Sequence, residues 1–429
     1  MTKIFCAPKD RIPEQRLADV TYVSMYTHDG LADVSTVGTS LMDEIKRAGL
    51  APKAHSWDFL TLALAVNAAD HAVERRSSED GWTRTIELDL VLYDPAAYER
   101  LTDEIQLMLR FLTGDFWTIR FLEGGYPPPI PKQSVRYQAD CVSLLSGGLD
   151  SLIGALDLTA RGRSPIFVSH VAKGDSDTQV SYAHALGGGD RHLQWNQNIW
   201  LKPQREGEGS TRGRSIVFFA FAAIAADSHA GSTDLGSVDV FVPENGLISL
   251  NVPLNAGRVG SLSTKTTHPV FMRRLQSIWR QLGIPASLQL AYATKTKGEM
   301  MVECLDQPRL ASMASRSTSC GRYAVFKLKH CGHCVPCMVR RAAFSRSGVT
   351  DNTAAYVHNN LKNGQNDHGR PNDVAAVAAA VLKVEEMGVR AFTAGQFAFA
   401  EPAWRVEFEG VVERGLAELG HLLREHGVL

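Results

Sequence analysis

No stretch of this 429-residue chain reads as both long and apolar enough to span a bilayer, and none is expected to. The best candidate, 216–226 (IVFFAFAAIAA), is too short and is followed by Asp227, so a buried helix is expected there. The opening residues, MTKIFCAPKDRIPEQ, lack the apolar core of a signal peptide, and a cytoplasmic location is expected. An excess of one charge is also missing. Lys and Arg number 45, Asp and Glu 46, and the formal net charge is -1. That removes the electrostatic motive for broad nucleic-acid or membrane binding. There is no GxxxxGK[ST] stretch, which excludes a Walker loop, and no internal repeat.

What remains is an ordinary globular balance, 44% hydrophobic and 21% charged, sufficient for a real core. The length allows two or three domains. A break stands at 124–132 (GGYPPPIPK), where two glycines and four prolines cannot continue a helix or a central strand. Before it, 85–92 (TIELDLVL) alternates like a half-buried strand, and 117–121 reads as another. Helical spacing covers 56–73 and 98–112. We read residues 1–126 as an N-terminal α+β accessory domain, with Trp82 and Trp117 as core residues.

After the break the pattern changes. Strands are expected at 141–145, 164–171, 191–195 and 238–243, with helices at 151–160, 180–186 and 215–227. Such alternation implies a parallel sheet covered on both faces. Residues 133–345 therefore read as an α/β domain and 346–429 as a helical C-terminal region, with helices at 373–386 and 408–426 and a polar loop over 359–372.

The hexapeptide Ser146-Gly147-Gly148-Leu149-Asp150-Ser151 follows an apolar strand and opens a helix. Ligands of open α/β sheets bind beyond the carboxyl ends of strands. A helix start offers free N–H groups and partial positive charge. Two glycines let the backbone approach phosphate oxygens, and Ser146 and Ser151 supply hydroxyls. Asp150 would repel phosphate directly; it can hold Mg²⁺ or anchor the loop. SGGLDS matches the ATP-pyrophosphatase signature SGGxDS, whose enzymes release pyrophosphate and transfer AMP to a substrate oxygen. The bland alternative is a serine-capped turn.

Of the seven cysteines, Cys320, Cys331, Cys334 and Cys337 cluster; Cys6, Cys141 and Cys304 are scattered and read as small core residues. In a reducing compartment a cluster means metal before disulfide. Four thiolates suit tetrahedral Zn²⁺ in a closed, structural site, with an iron–sulfur cluster as the rival. His333 is read as an exposed loop residue, though it could replace one cysteine.

Together, SGGLDS and the SC-x10-CGHCVPCMVRR run resemble the 7-cyano-7-deazaguanine synthases, the QueC family. The resemblance covers about 140–344. It implies an adenine nucleotide α-hydrolase-like fold, and ATP-dependent adenylation of 7-carboxy-7-deazaguanine followed by attack of ammonia. Thr211-Arg-Gly-Arg-Ser215 looks like the family's Gly-Arg-Asn helix start, so Arg214 would meet phosphate or the substrate carboxylate. Ser215 stands where the family usually has Asn. Residues 243–251 (PENGLISLN) depart from the family's Tyr-Pro-Asp-Cys-Arg stretch. With the two extra regions, this looks more like the QueC-like component (QatC) of Qat anti-phage defence systems. The extra regions would then dock a partner protein from the same operon, whose amine attacks the adenylate; ammonia is the alternative nucleophile. The competing functions are nucleobase thiolation by the same loop type and a non-catalytic nucleotide-binding scaffold.

Other polar residues are weighed by place. Glu244 and Asn245 end a strand where substrate is expected. Ser169, on the second strand, is assigned to the nucleotide site. Lys265, in a polar run before His268-Pro269, could steady pyrophosphate. Lys173, Lys295 and Lys297 read as solvated, with a phosphate contact as the lesser alternative.

Overall fold

The computed structural model describes residues 2–28, 30–171, 174–202, 207–233, 235–254, 265–362 and 372–429. Two five-stranded sheets dominate it. The first comprises β1 (Thr2–Ala7), β2 (Val20–Met25), β3 (Val34–Val37), β4 (Thr85–Leu92) and β5 (Phe116–Glu123). The second comprises β6 (Cys141–Leu144), β7 (Pro165–His170), β8 (His192–Trp195), β9 (Val238–Phe241) and β10 (Ala286–Gln289). Every strand pair in both sheets is parallel. The orders are β3-β2-β1-β4-β5 and β10-β9-β6-β7-β8. Read from its first strand, each sheet is 3-2-1-4-5, so the two halves share one strand order without sharing a sequence repeat.

This corrects the α+β expectation for the N-terminal unit. β1, β2 and β3 escaped the sequence reading because they are short and carry polar residues (TKIFCA, VTYVSM, VSTV), so no clear alternation marks them. Among the described residues, their connections contain no α-helix.

Between the sheets lie helices from both halves. α1 (Leu41–Arg47) leads into α2 (Ala54–Ala72), which packs on β2, β3 and β4 and against α7 (Arg214–Ser232). α7 in turn packs on β6, β7 and β9. The short α3 (Ala96–Glu99) precedes α4 (Thr102–Thr113), which bridges β5 to α9 (Pro269–Gln281). Both α2 and α7 are apolar almost all round because each meets protein on two sides. α7 is long and apolar enough to cross a membrane on length and composition, but it is buried between sheet and helix, as expected of 216–226. One continuous core runs through both sheets, from Ile4 and Leu88 to Ile216 and Val240.

The outer face of the second sheet carries α5 (Leu149–Ala160), α6 (Ser176–Ala185), α10 (Lys297–Glu303) and α11 (Gln307–Met313). α8 (Gly246–Leu250), α12 (Val335–Ser347), α13 (Asp373–Met387), α14 (Val389–Phe392) and α15 (Pro402–Glu425) complete the chain. The C-terminal helices share a separate core with α8 and α12, including Leu247, Met338, Val377, Val411 and Leu419.

Candidate functional site

In a 3-2-1-4-5 sheet the crevice opens beyond the carboxyl ends of the first and fourth strands, where chain direction across the sheet reverses. In the first sheet that region is filled: Tyr26 stacks on Trp57 at 4.4 Å, and Asp58 accepts the amides of Tyr93 and Asp94 at 2.9 and 2.8 Å. Burial pushes the Asp58 carboxyl up to about 6. In the second sheet the same region is occupied by the SGGLDS loop after β6 and by Glu244 and Asn245 after β9.

The loop is held by backbone. Gly147 has φ +85°, a left-handed conformation that a side chain would strain. Its carbonyl accepts the amide of Thr318 at 2.9 Å. Gly148 is the N-cap of α5 and carries no side-chain cap, which leaves the first amides of that helix for another acceptor. A Cβ on Gly148 would come within 3.2 Å of both Ser146 Oγ and Thr318 O. Ser146 Oγ donates to Ser151 Oγ at 3.1 Å and accepts from Gly148 N at 3.2 Å; Ser151 Oγ donates to Gly148 O at 2.9 Å. Gln179, buried on α6, donates to Ser146 O at 3.1 Å. Leu149 is buried and serves the core under the loop.

Asp150 lies in a buried polar cluster. Its Oδ2 accepts from Asn245 Nδ2 at 2.7 Å and Asn245 N at 3.2 Å, and Oδ1 lies 2.9 Å from Lys297 Nζ. Asn245 Nδ2 also reaches Glu244 Oε1 at 3.2 Å, while its Oδ1 caps α8 through Ile248 N. Burial and the Asp150 charge push the Glu244 carboxyl well above the usual range. Burial opposes ionisation of Asp150 too, but Lys297 and the hydrogen bonds of Glu244 and Asn245 outweigh it and hold its carboxyl low. The cluster therefore sets one carboxyl held low against one held high, with Lys297 beside the first.

Lys297 is the residue that the sequence reading missed. It is buried, against the solvated reading, because a Thr296–Glu299 capping box starts α10 there and turns the side chain inward. Lys295 is solvent-facing and pairs with Glu303 at 2.9 Å. The signal available was Thr296-x-x-Glu299, a helix start.

Arg214 opens α7 and is exposed, with no ion pair or hydrogen bond among the described residues. Its charge reaches Asp175 and His170 beside the loop. Asp70 of α2 fixes this helix start by accepting the amides of Arg212 and Gly213 at 2.5 and 2.6 Å. Two other assigned residues are engaged within the protein. Ser169 is fully buried, its Oγ donating to Leu145 O at 2.6 Å and paired with His192 Nε2 at 2.8 Å, so it supports the approach to the loop. Lys265 lies over the Phe111 ring at 4.5 Å and near Arg212, beside the N-terminal half; burial lowers its pKa. His268 caps α9 and packs between Phe111 and Phe399. Lys173 lies outside the described residues.

Cys320, Cys331, Cys334 and Cys337 converge, all buried, with their sulfurs within 4.8 Å of one another. Two pairs stand at 3.8 and 4.0 Å. A tetrahedral ion with metal–sulfur bonds of about 2.3 Å needs sulfurs roughly 3.8 Å apart. The cluster fits one ion better than a multi-iron cluster, whose thiolates are spread over separate irons. Backbone amides of Arg322 and Cys331 point at Cys320 Sγ, and that of Cys334 at Cys331 Sγ, each at 3.3 Å, which favours thiolate charge. Cys334 and Cys337 also sit at the positive start of α12. His333 stays outside, half-buried and 4.4 Å from the His358 ring. Cys6, Cys141 and Cys304 are buried singly, and burial raises each thiol's pKa.

A cavity of about 450 Å³ lies elsewhere, at the amino ends of β1, β4 and β5, lined by Thr2, Asp80, Thr85 and Phe116 among others. Comparison with family models, curated proteins and solved structures finds no match.

Proposed function

We propose that this chain is an ATP-pyrophosphatase-type ligase of the adenine nucleotide α-hydrolase-like fold. It adenylates a carboxylate of the 7-carboxy-7-deazaguanine kind, releases pyrophosphate, and passes the acyl group to an amine. The observation that carries this reading is the SGGLDS loop at the reversal point of a 3-2-1-4-5 sheet, facing the Asp150–Asn245–Glu244–Lys297 cluster.

In this reading the amides at the start of α5 and the Ser146 hydroxyl hold the β- and γ-phosphates. Mg²⁺ arriving with ATP supplies charge neutralisation at the phosphates. Asp150, whose carboxyl is held low, is the carboxylate that would hold it. Lys297 supplies the positive charge that keeps Asp150 ionised in a buried place. Arg214, exposed at the start of α7 and unpaired among the described residues, orients the substrate carboxylate for attack on the α-phosphorus. The adenylate is a mixed anhydride. An amine held near it displaces AMP, which leaves with the bonding electron pair, and the amine loses a proton.

The four cysteines hold zinc in a structural role in this reading, which supports ligation over thiolation because no clustered thiol is left as a sulfur carrier. The amine is ammonia or belongs to a partner protein from the same defence operon, docked on the N-terminal or C-terminal additions. The test is ATP–pyrophosphate exchange over a panel of heteroaromatic carboxylates. Exchange that depends on the acid and on Mg²⁺, and is lost in Asp150→Ala and Ser151→Ala, is expected. Release of ADP and phosphate would sink the adenylation reading.

A further inference from the structure

We propose that Arg340 and Thr318 are positioning residues that couple the four-cysteine centre to the SGGLDS loop, so that metal binding and loop-ligand binding strengthen each other. The coupling rests on the reading of that loop as a nucleotide seat.

Cys320 is a metal-cluster residue, and Thr318 stands two positions before it. The Thr318 amide is the hydrogen-bond donor to the Gly147 carbonyl, at 2.9 Å. It thereby fixes the peptide whose left-handed turn aims the start of α5. Arg340 lies one helical turn beyond Cys337 on α12 and is fully buried. Its guanidinium donates to Ala314 O at 3.0 Å, Ser315 O at 3.1 Å, Ser317 Oγ at 2.5 Å and Ser319 Oγ at 3.4 Å, with Thr353 Oγ1 at 2.9 Å. These acceptors are all neutral, so a buried cation is used to pin 314–319 from within. The segment is thus tied to α12 through Arg340 and to the cluster through Cys320.

A second contact approaches from the other side. The chain between Cys320 and Cys331 lies over Gly174, where a Cβ would meet Leu328 at 2.5 Å and Tyr323 at 3.1 Å. Gly174 precedes Asp175, whose Cβ and carbonyl are 3.6 Å from where a Gly147 side chain would start. Without an ion, Cys320 and the chain after it lose their common anchor, and the Gly147 peptide is no longer held ready. Linkage is reciprocal: a ligand that fixes Gly147 must also retain the ion.

The test uses the full-length zinc-loaded protein, a non-hydrolysable ATP analogue with Mg²⁺, and a chromophoric chelator that reports zinc loss. The analogue is expected to slow zinc release about tenfold, within the usual range of coupling between sites. Arg340→Lys should keep stoichiometric zinc yet lose most of that protection and bind the analogue several-fold more weakly. Thr318→Pro removes the amide donor together with the Thr318 side chain that reaches Asp175, and Thr318→Val, which keeps the amide, separates the two; Ser317, at φ -68° and ψ 146°, already has the extended backbone that a following proline demands. Thr318→Pro should behave likewise if Arg340 variants fold poorly. Analogue binding with no change in zinc release overturns the coupling alone. No analogue binding to the zinc-loaded parent overturns the nucleotide reading and the coupling with it.

Discussion

Lys297 and Asp150 form a buried ion pair, and removing one member leaves a charge without a partner. Lys297→Met should therefore destabilise the protein by about 3 kcal/mol and abolish acid-dependent exchange. Adding Asp150→Asn should recover much of the melting temperature but none of the exchange, a pattern that a double-mutant cycle by thermal unfolding can check. Glu244 gives a pH signature. Its folded pKa lies above its unfolded one, so the stability contributed by the neutral acid is present below the ordinary carboxylate range. That contribution is lost as pH rises through the raised folded value. Glu244→Gln keeps the neutral form at every pH, so its melting temperature should decline less than the parent's on the alkaline side. Equal declines would mean that Glu244 ionises freely in the native state. Asp150 works in the opposite sense: its lowered carboxyl stabilises at neutral pH and loses that effect as pH falls through its folded value.

Two glycines set how closely elements meet around the site. A Cβ on Gly154 of α5 would lie 2.5 Å from Pro243, and one on Gly246 would lie 2.2 Å from the Ala293 carbonyl. Gly154→Ala should cost about 1–3 kcal/mol by overpacking, with a measurable loss of Mg²⁺–ATP affinity because it pushes α5 from the Glu244–Asn245 turn. Normal stability and affinity in that variant would show that the helix can shift freely. α15 has its own part at the site. Arg414 pairs with Glu299 at 2.6 Å, and Glu418 accepts from Thr296 Oγ1 at 2.5 Å and meets Arg346 at 3.1 Å. These contacts steady the capping box that starts α10 and so aim Lys297. Glu418→Ala should lower exchange activity while zinc content stays at the parental level. The helical tail was legible from its spacing, but this support was not, since Thr296 and Glu299 lie more than a hundred positions from their partners on α15.

At the scale of the whole chain the cysteine cluster should hold one zinc, and Cys334→Ser should lower both solubility and melting temperature. Elemental analysis that finds iron, or a Cys334→Ser protein with unchanged melting, would count against this. The two sheets are not independent bodies in their packing. α2 and α7 meet in one core, and Asp70 of the first half caps the helix start that carries Arg214 in the second. The first sheet repeats the strand order of the second, yet its reversal point is closed by Tyr26, Trp57 and Asp58, which leaves the proposed nucleotide seat to one half.

Sequence alone determined what depends on contiguous residues: the SGGLDS turn between a strand and a helix, the cysteine run, the proline break, and most of the α/β alternation after it. Each is a local pattern whose meaning is carried by spacing within a few turns of chain. Only the tertiary structure decided what depends on distant residues meeting. It put Lys297 under Asp150, withdrew Ser169 into the sheet, and set Lys265 over Phe111. It also joined the short polar strands β1, β2 and β3 into the first parallel sheet. A lysine in a helix-start motif reads the same whether it faces water or a buried carboxylate. Its direction is chosen by the charge waiting across the fold, which no local pattern records.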